Sequence, residues 1–327
     1  MNKRNLLRFG ATLLAGTVLM ASGAFAQDYP TKPITVIVPF AAGGPTDTVS
    51  RLIAEALSED LGQQVLVQNV GGAGGTLGAG QAAAAPNDGY TLLIHHIGMA
   101  TAPALYRDLP FDPIADLAPI GLITDVPMTV IARKDLEPAT LPELVEYIKA
   151  NGENLTYGHA GIGAASQLCG MLLMEAVGTQ MTTVPYTGTG PAMTDLLGGQ
   201  IDMMCDQTTN TTNQILSGEV KAYAVTTPER LEALPDVPTA KEGGLDLEVG
   251  VWHGLYAPAG TDQAIIDRLE ASLKKALTNE TVISRFADLG TAPVTQEEAT
   301  PAALAETLKS QIELWSGVVE AAGIFAQ

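Results

Sequence analysis

The chain has 327 residues and a formal charge of −19, with 36 Asp and Glu against 17 Lys and Arg. So acidic a balance leaves no electrostatic footprint for nucleic acid or an anionic membrane. An aromatic content of 5% gives little material for a sugar-stacking site.

The N-terminus reads as an export leader. Lys3, Arg4 and Arg8 form a basic start, an apolar run covers Ala11 to Ala21, and Ala24-Phe-Ala26 is a small-x-small cleavage site. The expectation is a signal peptide over residues 1–26, cut after Ala26, and a periplasmic product. The apolar run is too short for a confident membrane span, and no cysteine near the cut offers a lipid attachment point. Loss of the three basic residues takes the charge from −19 to −22 and leaves 14 Lys and Arg. About 300 residues remain, more than one core usually holds, which predicts two domains.

Short β-branched runs then alternate with longer amphipathic ones, the pattern of an α/β protein with largely parallel sheets. Strands are predicted at Ile34–Val38, Val65–Asn69, Thr91–Ile94, Ile120–Thr124, Met128–Arg133, Leu155–Gly158, Thr183–Val184, Met203–Asp206, Ala222–Thr226 and Gly254–Ala257. Helices are predicted at Asp47–Leu61, Gly75–Ala85, Leu141–Asn151, Ser166–Val177, Pro191–Gly198, Gln207–Ser217, Gln263–Leu277, Glu280–Leu289 and Pro301–Ala322. Asp125-Val-Pro127 interrupts two neighbouring strands and suits a crossing between domains, with the return near Leu247–Gly254. The predicted organisation is one lobe from residues 27–124 plus 251–327 and an inserted lobe from 125–250. Such a pair of α/β lobes has a hinge and a cleft, with ligands beyond the carboxyl ends of the strands.

Three strand–turn–helix loops are rich in glycine or hydroxyls: Ala41–Asp47, Gly158–Ser166 and Pro185–Pro191. Glycines let a backbone approach a ligand closely, and helix N-termini attract anions through unpaired N–H groups. Pro45 fits a first helical position, where its missing N–H costs nothing. Each loop alone could be an ordinary connection; three together read as a cleft lined with backbone donors. At Gly43 and Gly188 the expectation is that a Cβ would block close backbone approach.

Enzyme signatures are missing. Gly161-x-Gly163 is followed by Ser166 where a dinucleotide fingerprint needs its third glycine, and neither G-x-x-x-x-G-K-[ST] nor G-x-S-x-G occurs. A hydrolase or transferase therefore ranks below a binding protein, and no cofactor is expected. His95, His96, His159 and His253 lack metal-ligand spacing. His95 and His96 end a predicted strand, so alternation turns at most one of them to the cleft, and His95 is taken as the candidate. Asp206-Gln-Thr-Thr-Asn210 closes another strand. Thr208 could cap the following helix, and Asp206 could meet a ligand. Cys169 and Cys205, both in the inserted lobe, are expected to pair in an oxidising compartment, with two buried thiols as the alternative.

Taken together, several segments resemble the Bug family, the TctC-like substrate-binding proteins of tripartite tricarboxylate transporters. They are Tyr29-Pro-x-Lys-Pro33, Val38-Pro-Phe-Ala-Ala-Gly-Gly-Pro-Thr-Asp47, Asn69-Val-Gly-Gly-Ala-Gly-Gly75, Pro86-Asn-Asp-Gly-Tyr-Thr-Leu92, Pro185-Tyr186, Gly199-Gln-Ile-Asp202 and Leu234-Pro-Asp-Val-Pro-Thr239. The resemblance implies a type II periplasmic binding protein, a monomer that captures a small carboxylate and passes it to a large and a small membrane subunit. A sensor subunit serving a membrane kinase would share this fold. The family's ligand-holding positions fall on Phe40, Ala41, Gly43, Gly44 and Asp47, on Gly161, Gly163 and Ser166, and on Tyr186, Thr187 and Gly188. His95-His96-Ile-Gly98 departs from the smaller residues that many relatives carry there.

Overall fold

The structure is a computed structural model, and it describes residues 29–322. The expected leader and its cleavage site lie outside the described residues. In chain order the elements are β1 (Ile34–Val38), α1 (Pro45–Leu61), β2 (Val65–Asn69), α2 (Thr76–Ala83), β3 (Thr91–His96), α3 (Gly98–Leu105), β4 (Leu117–Arg133), α4 (Leu141–Asn151), β5 (Thr156–His159) and α5 (Ala165–Val177). They continue with β6 (Thr182–Pro185), α6 (Thr189–Leu197), β7 (Met203–Gln207), α7 (Thr208–Leu216), β8 (Val220–Val225), β9 (Gly250–Pro258), α8 (Gln263–Leu277), α9 (Glu280–Asp288) and α10 (Pro301–Ala322).

The strands form two sheets that share β4. The first runs β2-β1-β3-β9-β4, with β1 parallel to β2 and β3, and β9 antiparallel to β3 and β4. In the second, β5 is parallel to β6 and β7, while β7 and β8 lie antiparallel on either side of β4. Strands β1 and β5 pair on both sides with parallel neighbours and read as short β-branched or small-residue runs, as buried crossover strands do.

Residues Asp125–Pro127, expected to break two strands, lie inside one continuous 17-residue strand. The proline still carries information. The β9 ladder ends at Pro127↔Gly250, and the β7 ladder begins one residue later at Met128↔Gln207. A residue with no N–H to give sits where the strand changes partners. What reads as a break in strand is a change of sheet.

Apolar residues of α1 and α8, including Val49, Ile53, Leu57, Leu269 and Leu273, pack with Phe286 of α9 on one face of the first sheet. Residues Leu304, Leu308 and Trp315 of α10 join a core that also holds Val130 of β4 and Tyr157 of β5, so the last helix ties the two sheets together. Helix α3 was not expected. Its Gly98-Met-Ala-Thr-Ala-Pro-Ala-Leu105 sequence is nearly all buried and has little amphipathic period, and a proline lies inside it. A helix buried all round gives no polar stripe to read.

The disulfide between Cys169 and Cys205 is present, with Cα atoms 6.0 Å apart. Among the described residues, no helix is long and apolar enough to cross a membrane.

Candidate functional site

The carboxyl ends of the parallel strands meet between the two sheets. Helices α1, α5, α6 and α7 all start there, and together they wall a buried cavity. Pro45 and Thr46 come from α1, Ala164–Ser166 from the start of α5, Thr189 from α6, and Asp206 and Gln207 from the end of β7 just before α7. Phe40, His96 and Ala160 complete the lining. The free volume is about 10 Å³, close to what one water-sized sphere occupies. The walls of the cavity are therefore drawn tightly together, and an organic acid would have to part them slightly.

Among the described residues, no lysine or arginine lines this cavity. The positive field available there is that of the helix starts, each equivalent to roughly half a positive charge. The first turns of α5, α6 and α7 carry no acidic side chain to neutralise them.

The glycine loops meet one another as well as facing the cavity. The N–H of Ala41 donates to the carbonyl of Thr187 at 3.0 Å. A Cβ placed on Gly188 would sit 2.8 Å from the nitrogen of Ala41, and one on Gly190 would sit 2.8 Å from the carbonyl oxygen of Ala42. Gly74 likewise packs against the carbonyl of Ile162, and a Cβ on Gly161 would come within 2.8 Å of the nitrogen of Gly74. Gly43 is different. Nothing lies within 4 Å of its would-be Cβ, so the expected steric block is absent there. What calls for glycine is its φ of +80°, a region that L side chains avoid.

Asp47 does not line the cavity. Its carboxylate accepts from the N–H of Gly43 at 3.0 Å, from Arg51 Nε at 3.0 Å and from Asn69 Nδ2 at 2.9 Å. Burial works to raise its pKa, yet these bonds and the guanidinium charge hold it below the ordinary value. Asp47 thus fixes the shape of the first loop. The second loop is held from α3 and the residue that follows it: Thr101 Oγ1 donates to the carbonyl of Gly163 at 2.9 Å, and Tyr106 Oη to that of Ile162 at 2.8 Å.

Strand alternation brings one of the paired histidines to the cavity, and it is His96. The ring of His95 turns instead toward Gly75. Phe40 stacks on His96 with centroids 4.6 Å apart and meets His95 edge-on at 5.6 Å. Hydrogen bonds assign the tautomers. The N–H of His96 donates to His95 Nδ1 at 2.7 Å and that of Gly98 to His96 Nδ1 at 2.9 Å, so each neutral ring carries its proton on Nε2. His253 is the reverse, its Nδ1 donating to the carbonyl of Val251 at 3.1 Å while Nε2 accepts from the Thr46 hydroxyl at 3.3 Å. Burial depresses all three, to about 3 for His95 and about 4 for His253, so each imidazole is neutral. His96 offers a neutral N–H donor.

Asp206 is buried in the cavity wall, and burial pushes its pKa up to about 6 against the bonds it accepts from Asn210, Thr189 and the N–H of Gln207. The Asn210 amide lies 2.6 Å from Asp206 Oδ2. Thr208 does not cap α7, since its hydroxyl donates to the carbonyl of Gly290 at 3.3 Å. Tyr157 holds two walls in place: its hydroxyl donates to the carbonyl of Ser166 at 2.7 Å and accepts from the N–H of Cys205 at 3.0 Å. The disulfide ties the same two segments together.

Of the expected positions, Phe40, Ser166 and Asp206 line the cavity. Ala41, Gly44, Thr187, Gly188 and Gly161 lie at the seam where the loops close, and Gly163 is held by α3. Gly43 and Tyr186 border an outer recess at the rim with Ala42, Gly190 and Pro191. Thr189 and Gln207 went unnoticed although both sit in runs that drew attention. Thr101 and Tyr106 carried no motif at all.

Comparison with known proteins shows the family. The sequence profile of the tripartite tricarboxylate transporter family receptor, TctC, matches residues 49–324. A protein of Agrobacterium vitis, a UPF0065 protein encoded in the TAR-I ttuE-ttuC' intergenic region, is 55% identical over 317 residues, 97% of this chain and 92% of that one. The solved structure of the periplasmic binding protein BugD is 49% identical with a TM-score of 0.89, covering 91% of this chain and all of its own (100%). MatC from Rhodopseudomonas palustris, solved with bound malate, is 42% identical with a TM-score of 0.86 over 89% of this chain and 100% of its own. A family profile that matches most of the chain, with high identity to these proteins along nearly its whole length, makes this chain a member of the TctC receptor family, the Bug-type periplasmic binding proteins.

Proposed function

We propose that the chain captures a small carboxylate in the periplasm and delivers it to the large and small membrane subunits of a tripartite tricarboxylate transporter. The observation that carries this reading is the convergence of four helix N-termini on a cavity with no cationic side chain. Fixed N–H donors at such a place favour a compact anion, and they hold it without the long flexible side chains that a lysine site must order. The malate bound by MatC is a ligand of this kind.

Residues 27–124 plus 251–327 and residues 125–250 act as the two lobes in this account. In this reading the hinge is the point where β4 passes from its ladder with β9 to its ladder with β7, between Pro127 and Met128. The ligand joins the lobes by bonding to helix starts of both, so closure follows from its differential affinity for the closed form.

Native mass spectrometry of periplasmic protein, purified without refolding, tests the assignment. A co-purified mass matching a small organic acid is expected. Retention of a neutral sugar or an amine without a carboxylate would contradict the reading.

A further inference from the structure

Two side chains in the cavity have the wrong sign for a site built only to hold a carboxylate. Asp206 is 1% exposed, and the groups that bond to it are all neutral, with no lysine or arginine beside it. Gln207 is 2% exposed and lines the same cavity, and its Oε1 is buried with no hydrogen-bond partner. A buried acceptor left without a donor is costly, and such groups in native proteins call for a reason. With the amide in this orientation a carboxylate ligand cannot supply one, because its oxygens only accept, and an ionised Asp206 would repel it.

The local backbone explains how consecutive residues can share one cavity. Gln207 is the last residue of β7 and the N-cap of α7, with φ −67° and ψ 144°. The chain turns into the helix there, and strict strand alternation ends. The Asn210 amide, one turn into α7, fixes the Asp206 carboxyl from behind at 2.6 Å. Across the cavity, the helix starts and His96 present donors. One side of the space gives hydrogen bonds and the other side takes them.

We propose that Asp206 and Gln207 form an acceptor subsite that selects carboxylates carrying a hydrogen-bond-donating substituent, an ammonium or a hydroxyl group, over the plain acid of equal length. This rests on the carboxylate reading above and sharpens it. An ammonium group would pair with the Asp206 carboxylate and donate to Gln207 Oε1; a hydroxyl group would donate to Gln207 alone.

The test is calorimetry of the full mature chain against two matched sets: succinate, malate and aspartate, then glutarate, 2-hydroxyglutarate and glutamate. In at least one set a substituted acid is expected to bind about ten-fold or more tighter than the plain one, the scale of satisfying a buried acceptor. Preference for the amino acid identifies the ammonium form, and preference for the hydroxy acid the hydroxyl form. The variants Gln207→Leu and, as a second probe should that one fold poorly, Gln207→Met should shrink the preference several-fold. Equal binding of plain and substituted acids, or an unchanged preference in a folded Gln207 variant, overturns the subsite while leaving the carboxylate reading intact. Failure of all six acids to bind overturns both.

Discussion

The backbone N–H of Ala41 donates to the carbonyl oxygen of Thr187 at 3.0 Å, joining the first glycine loop to the third. Both partners are main-chain groups, so the contact depends on how near the two backbones can come. Around it, a Cβ on Gly71 would stand 2.7 Å from the Thr187 oxygen, and one on Gly188 would stand 2.8 Å from the Ala41 nitrogen. Small residues here let the two backbones close on one another.

Gly188→Ala should therefore weaken ligand binding by at least about ten-fold, while each lobe keeps its stability within about 1 kcal/mol. The backbone at Gly188 is extended, with φ 170°, so alanine brings no conformational strain, only the clash across the seam. Calorimetry and thermal melts on the same variant separate the two effects. Full affinity in Gly188→Ala would contradict the closure role. Gly43→Ala should behave differently, losing about 1–2 kcal/mol of stability through its left-handed φ.

Thr101 and Tyr106 should affect affinity without touching the ligand. Each gives one hydrogen bond across the cleft, to Gly163 and Ile162, worth about 0.5–1.5 kcal/mol net. Thr101→Val and Tyr106→Phe should each shift the lobes toward the open form and weaken binding by about two- to ten-fold. Small-angle scattering of the ligand-free variants should show a larger mean radius than the parent. An unchanged radius together with unchanged affinity would contradict this.

The buried imidazoles set an acid limit on stability. Their folded-state pKa values, about 3 for His95 and about 4 for His253, lie below the ordinary 6.5. The unfolded chain thus binds more protons between those values, and the stability that is full above pH 6.5 is lost as pH falls toward 4. Asp206 has the opposite sign. Raised from 3.8 to about 6, its contribution is full below 3.8 and lost as pH rises through 6. Several histidines outweigh one carboxyl, so melting temperature should fall between pH 6.5 and 4. His253→Gln, which can still accept from Thr46 and donate to Val251, should flatten that slope by up to about 1.4 kcal/mol per pH unit. Parallel slopes in parent and variant would refute the assignment.

Reduction of Cys169–Cys205 should destabilise the chain by about 3–4 kcal/mol on the chain-entropy account. It should also loosen Ser166 and Asp206, which lie beside the two cysteines on α5 and β7. The double variant Cys169→Ser, Cys205→Ser is expected to melt roughly 5 °C lower and to bind more weakly. Two titratable thiols in the unfolded, unreduced parent would contradict the bridge.

Much of the scaffold was legible because β-branched strands and amphipathic helices repeat with periods a sequence displays. The glycine loops were equally plain, since positive φ and close approach restrict residue choice. Three features were hidden for physical reasons. Helix α3 is buried along most of its length, exposes only Pro103, and shows no polar stripe. The continuity of β4 was masked by Pro127, whose missing N–H marks a change of partner strand as readily as a strand end. The roles of Asp47 and Gln207 depend on what lies across space: Asp47 is engaged by Arg51 and Asn69 and faces away from the cavity, whereas Gln207 is left unpaired within it.

The central claim is that main-chain donors at converging helix starts hold a carboxylate. Calorimetry of the mature chain against short dicarboxylates and their diamides tests it most directly. The acids should bind with micromolar or tighter affinity, since several charge-assisted bonds of about 1.5–3 kcal/mol each outweigh association costs. The diamides should bind at least about a hundred-fold more weakly. Diamides that bind as tightly as the acids would contradict the account.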